Sequence, residues 1–185
     1  MIAIMSTDLI ARLSEICEGR HRLGRGATLF LRDDPVRSLF IVLDGMVELI
    51  RRNTNGSPLV LQRASAGSVL AEASIFSSAY HCDAVAAEDS YLLSVPAPKL
   101  RARFHAEPPL MDLWAAYLAR QIQQARFRSE VLALRTVAER LDMWLTWHDG
   151  QMPPRGRWLT TAKEIGVSCE ALYRELSKRS GRRGR

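Results

Sequence analysis

No apolar run in these 185 residues reaches the roughly 18–20 that a membrane span requires. The opening stretch, MIAIMSTDLIARL, has no positive charge ahead of its short apolar run, so the basic start of a secretory signal is missing. Cysteine is scarce: Cys17, Cys82 and Cys169 are odd in number and far apart. That excludes a disulfide framework and a zinc-knuckle spacing, and it fits a reducing compartment. A cytoplasmic address and no membrane partner are therefore expected. His21, His81, His105 and His148 are scattered and form no paired-His metal motif. Neither a Ser/His/Asp nor a Cys/His set can be assembled, so the reading is a non-enzyme.

What is present is ordinary in bulk and uneven in distribution. Apolar and charged residues make up 47% and 25% of the chain, as in a folded soluble domain. The net charge is +6, and it is concentrated at one end. Gly150 to Arg185 holds nine basic and three acidic residues, whereas the first 149 residues hold 17 of each. A basic end of this kind suits a polyanion, nucleic acid before membrane. A solvated basic tail would give the same count.

Apolar periodicity divides the chain. Leu9, Ile10, Leu13, Ile16 and Cys17 recur at helical spacing and predict a helix over about Thr7–Glu18. From Arg20 to Pro96 short apolar runs alternate with turn residues: 27–31, 39–43, 47–50, 59–61, 84–86 and 91–95. Asn55-Gly56 between two of these runs is a hairpin signal, and many short strands at even spacing indicate an all-β roll or barrel. After Pro96 the period becomes helical, with Pro108-Pro109 as the start of one long helix. Within it Leu118, Ile122, Ala125, Ser129 and Leu132 are spaced 4, 3, 4, 3, a coiled-coil seam that predicts dimerisation. A second helix, Val137–Trp147, and a linker, Gly150–Gly156, follow.

The last segment reads helix, glycine turn, helix. Gly166 ends a short helix, Ser168 caps the next, and Glu170 sits in its first turn at the positive end of the dipole. Leu172 and Leu176 then face inward, while Tyr173, Arg174 and Lys178 face outward. This is a helix-turn-helix outline.

In this order and spacing the chain resembles the CRP/FNR family of bacterial regulators, from about Arg20 to Arg179. The residues that carry the resemblance are Gly26, Gly45 and Gly67, the run Leu39–Gly45, and the cassette-like stretch Gly67–Phe76. Beyond them come the long helix, Val137–Leu141, and Glu170-Ala-Leu-Tyr-Arg174. The resemblance implies an α+β fold: an N-terminal cyclic-nucleotide-binding-like jelly roll (1–106), a dimerisation helix (107–135) and a small helix-turn-helix domain (136–185). It implies a homodimer through the 107–135 helix, double-stranded DNA as partner, and RNA polymerase as a further partner. Ser168, Cys169, Glu170, Tyr173, Arg174 and Lys178 become candidate DNA contacts. Arg can bridge the acceptors of a guanine edge and Glu can accept from cytosine, with Ser168 and Lys178 on phosphates.

Two features depart from the family. Thr160 and Thr161 stand where the first helix of the motif has an acidic and an apolar residue, which predicts a short or loose helix. The sequence ends at Arg185, where members continue into a winged hairpin. Ser180–Arg185 is then expected to act as a flexible basic arm.

The candidate effector pocket is Glu72, Cys82, Asp83 and Arg126. Members that bind cyclic AMP carry Gly-Glu early in the cassette and Arg-Ser later. Here those pairs read Ala71-Glu72 and Cys82-Asp83. Two like charges about 4 Å apart cost on the order of 4 kcal/mol at an effective dielectric of about 20, so Asp83 beside a phosphate argues against cyclic AMP. Alternation along Tyr80-His81-Cys82-Asp83 puts His81 and Asp83 on one face and Tyr80 and Cys82 on the other. Cys82 leaves four readings open: a small core residue, a redox-active thiol, a metal ligand, or a wall of a small-molecule site. Cys17 alone cannot hold an iron–sulfur cluster.

Overall fold

A computed structural model describes residues 2–56 and 58–183, with side chains at 7–56 and 58–180. The chain forms two compact units, Met1–Leu118 and Ala119–Arg185.

The first unit opens with helix α1 (Ile2–Ser14), followed by β1 (Gly19–Leu23), β2 (Thr28–Phe30), β3 (Ser38–Asp44), β4 (Met46–Arg52), β5 (Pro58–Ser65) and β6 (Val69–Leu70). Next come β7 (Asp83–Ala86), β8 (Ser90–Pro96), α2 (Ala97–Ala106) and the start of α3 (Pro108–Ala133). The strands make two antiparallel sheets, in the orders β1-β8-β3-β6 and β2-β7-β4-β5. Strand β3 shows why they fold as a roll. Its Phe40 and Val42 join Val47, Leu49, Ala84 and Leu92 in a core drawn from both sheets. Its Leu39 and Ile41 point the other way, onto Leu9 and Leu13 of α1, Leu100 and Phe104 of α2, and Leu110 and Trp114 of α3. A strand buried on both faces reads as a continuous apolar run, as 39–43 does.

The turns follow the glycine frame. Gly45 lies at φ +80°, and a Cβ there would stand 2.2 Å from the Asp89 carbonyl oxygen, so only glycine closes the β3–β4 turn. Gly56, at φ +76°, turns β4 into β5.

The expected 7–18 helix is displaced. It begins at Ile2 and ends at Ser14, after which Ile16 and Cys17 form tight turns on the Leu13 and Ser14 carbonyls. The chain is drawn out of the helix there because the Glu18 N–H pairs with Ser94 O, one step before β1 begins. Strand β1 itself, Gly-Arg-His-Arg-Leu, escapes sequence reading. Its residues carry little strand preference, and a full ladder to β8 sets it.

The second unit is the rest of α3 with α4 (Val137–Trp147), α5 (Trp158–Glu164) and α6 (Cys169–Arg183). Val131, Leu141, Trp144, Ala162, Ile165, Leu172 and Leu176 are its core. Thr136 starts α4 with a reciprocal cap: its Oγ1 accepts the Glu139 N–H at 3.1 Å, and its own N–H donates to Glu139 Oε2 at 2.9 Å. The 150–156 linker is a packed loop instead, with Pro153 buried and its carbonyl accepting from Trp158 Nε1 at 2.9 Å. The expected flexible arm is also corrected. Helix α6 runs on through Arg183 in spite of Gly181, and Gly184 and Arg185 lie outside the described residues. Among the described residues no helix is long and apolar enough to cross a membrane.

Candidate nucleic-acid interface and effector pocket

In the second unit the sequence specifies the turn between α5 and α6 closely. Gly166 takes φ +67°, and Ser168 Oγ accepts the Ala171 N–H at 3.1 Å to cap α6. Leu172 and Leu176 are buried on one side of α6. Arg179 clamps that side to α4 through Asp142 Oδ1 (2.5 Å) and Ala138 O (3.1 Å), and it also holds Glu175 Oε1 at 2.9 Å. Ser168, Cys169, Glu170, Tyr173, Arg174 and Lys178 are all exposed. Glu170, Arg174 and Lys178 follow one another at four-residue steps, so they share one stripe of the helix. Among the described residues Glu170 and Arg174 are not paired with each other. The Tyr173 ring meets Trp158 edge-on at 5.3 Å, which ties the base of this surface to α5. As the two threonines suggested, α5 is short, seven residues, with Thr161 buried.

A residue that sequence reasoning passed over holds this turn in place. Arg140, on α4, donates to Leu132 O (3.1 Å) and Leu134 O (2.9 Å) at the end of α3. It also donates to Ile165 O (3.1 Å) and Gly166 O (2.8 Å) after α5. One guanidinium thus satisfies the orphan carbonyls of two helix ends.

In the first unit the cassette geometry survives. Ala71 sits at φ +64°, the left-handed region where glycine is the easy choice. Glu72 follows in a single 3-10 turn, Glu72–Ser74, and is only 7% exposed. Burial pushes its carboxyl up, partly offset by its backbone N–H and by the Gln62 side chain. Among the described residues its Oε2 has no hydrogen-bond partner. Cys82 is buried in the same roll core, and burial pushes its thiol up to about 11. A thiol of that kind is protonated at neutral pH, which removes the reactivity the redox reading needs. Among the described residues no three His, Cys, Asp or Glu side chains gather as a metal set.

Asp83 is half-buried, and its Oδ1 accepts the Arg32 N–H at 2.8 Å. Alternation puts it on the face opposite Cys82, so its charge does not stand where an interior ligand would meet it. Arg126 is an exposed residue of α3 in the second unit. His81 is exposed, with Nδ1 3.2 Å from Ser74 Oγ. Sequence reading missed Gln62, which bonds the Glu72 side chain, and Arg51, an exposed residue at the end of β4 whose Nη2 donates to the His81 carbonyl oxygen at 3.0 Å.

The first unit thus combines an antiparallel roll, a left-handed turn at Ala71 and a buried glutamate, Glu72. Residues 20–107 match the family described as the cyclic nucleotide-binding domain. No curated protein sequence matches the chain. Among solved structures, FixK2 from Bradyrhizobium japonicum is similar at a TM-score of 0.70 and 17% identity, over 89% of this chain and 85% of that one. The c-di-GMP-responsive global regulator CLP of Xanthomonas campestris gives 0.65 and 20%, over 95% and 92%. A CRP-family transcriptional regulator of Thermus thermophilus gives 0.61 and 19%, over 87% and 85%. The fold is that of the CRP/FNR regulators.

Proposed function

We propose that the chain is a dimeric, sequence-specific transcription regulator that answers to a signal other than cyclic AMP. The observation that carries this is the stripe Glu170, Arg174 and Lys178, exposed on a capped helix whose opposite side is buried. Two such helices presented about 34 Å apart fit successive major grooves of a near-palindromic site. Exposed Ile122, Ala125, Ser129 and Leu132 on α3 support pairing of two copies along that helix. The cytoplasm is the expected compartment, and RNA polymerase the partner through which DNA-bound protein would act.

Fluorescence anisotropy on DNA from the gene's own upstream region, against scrambled DNA at near-physiological salt, tests this. Preference for the native site, reduced by Arg174→Ala by an amount equivalent to about 1–3 kcal/mol, is the expected result. Equal binding to both, unchanged by the substitution, would leave a sensing module with only non-specific DNA affinity.

A further inference from the structure

Helix α3 ends at Ala133 and α4 begins at Val137, so only residues 134–136 join them. A short connection between two helix ends is the ordinary place for a hinge. Here it is tied down. Arg140 stands one turn into α4, and four of its five N–H donors are committed, each to a backbone carbonyl. Nη2 donates to Leu132 O and Nε to Leu134 O, on either side of the end of α3. Nη1 donates to Ile165 O and Gly166 O, in the turn that leads into α6. A second contact joins the same two places without Arg140. A Cβ on Gly166 would stand 2.4 Å from Leu132 Cδ2, so the bare glycine lets a methyl of α3 lie on the turn. Leu132 is also the last residue of the seam along which two copies are proposed to pair. The far end of α6 is held on α4 as well, where Arg179 bonds Asp142 and the Ala138 carbonyl. In keeping with these ties, Ala119–Arg185 forms one compact unit that takes in the second half of α3.

We propose that Arg140 is a positioning residue. It makes the second half of α3 and the helix-turn-helix one body, so that the pairing of two α3 helices fixes the separation and angle of the two reading helices. This rests on the reading of the chain as a dimeric regulator, and it adds where that dimer does not bend. Turning at residues 134–136 would pull Arg140 off Leu132 and Leu134 and lift Leu132 off Gly166. The carbonyls would return to being orphans at a helix end, and half-burial of Arg140 limits the water that would replace them as its partners. Lysine cannot take its place, because an ammonium on a flexible stem has three donors and no planar fork. For a DNA reader the consequence is a narrow tolerance of half-site spacing. A head fixed to its dimer helix cannot swivel to follow a displaced half-site.

Distances between two spin labels in one chain, read by electron spin resonance, test the fastening. The labels go on exposed Cys169 and on Gln124→Cys, an exposed position of α3, in a Cys17→Ser background, where buried Cys82 stays unlabelled. Labelled chains are diluted into an excess of unlabelled ones, so that only distances within a chain are read. The parent should give one narrow distribution, Arg140→Gln a broad or shifted one, and Arg140→Lys one between them. Val131→Ala truncates the same core without touching the four carbonyls. It should stay narrow, which separates loss of the fastening from loss of stability. Distributions as narrow in both Arg140 variants as in the parent would overturn the proposal. The second measurement is anisotropy on the specific upstream site and on the same site with one base pair inserted at its centre, which turns the half-sites by about a tenth of a revolution. The parent should bind the inserted site about tenfold more weakly, whereas Arg140→Gln should bind the two within about threefold. A variant that only unfolds more easily would weaken on both sites alike and keep the parent's ratio, and that result also overturns the proposal. Absence of any specific site for the parent sinks the regulator reading alone, and the spin-label distances still decide the fastening.

Discussion

Glu72 carries a cost that can be read as a function of pH. Below the ordinary value of 4.5 the carboxyl is neutral in both folded and unfolded chains, and burial is tolerated. As pH rises past that value the unfolded chain ionises freely while the folded one resists, so stability falls until the raised folded value is passed. Glu72→Gln removes this dependence. Its melting temperature should match the parent near pH 4 and exceed it by a few degrees near pH 7.5. A constant difference across that range would mean that ionisation is not the cause. Cys82 gives a second residue-scale test. Under native conditions at pH 8, alkylation followed by mass spectrometry should label exposed Cys169 first, half-buried Cys17 next and Cys82 last. In denaturant the order should vanish. Early labelling of Cys82 would reopen the redox reading.

Individual elements varied in how clearly the sequence announced them. Helix α6 was legible almost residue by residue, because a glycine stop, a serine cap and two leucines four apart each have one local meaning. The β4–β5 hairpin was legible for the same reason. Strand β1 and the two-residue β6 were not, since their existence depends on ladders to β8 and β3. The roll interior was half legible: Glu72 and Cys82 are buried where the cassette-like pattern put them in the chain, and the alternation that sets Asp83 opposite Cys82 agrees with its bond to the Arg32 N–H, whereas the bond of Gln62 to Glu72 joins separate elements and has no local signal. Arg140 shows the same limit, because its four carbonyl partners come from two separate stretches of chain. The cap on α4 is the cleanest element to perturb. Thr136→Ala should cost about 1 kcal/mol, read by chemical denaturation, and Thr136→Ser should recover most of it. An unchanged midpoint for the alanine variant would mean that the cap is redundant with the packing of Leu141 and Trp144.

For the whole molecule the testable property is association. Ile122 is 52% exposed in the single chain, so Ile122→Glu should leave the fold intact. Placed in a seam between two copies, it would put two carboxylates against each other. Sedimentation velocity should then show dimers in the parent and monomers in the variant. Dimers that survive the change would move the contact off this face of α3. DNA affinity should fall with the dimer, and in the parent it should fall steeply with salt, because the excess positive charge sits in residues 150–185.

The border between the two units, after Leu118, falls within α3 and not in a loop. Leu110, Trp114 and Tyr117 serve the core of the first unit, and Val131 serves that of the second, from the same 26-residue helix. A recombination crossover at this border would cut a helix in two, and each half would need a new partner sequence in phase with the turn it inherited.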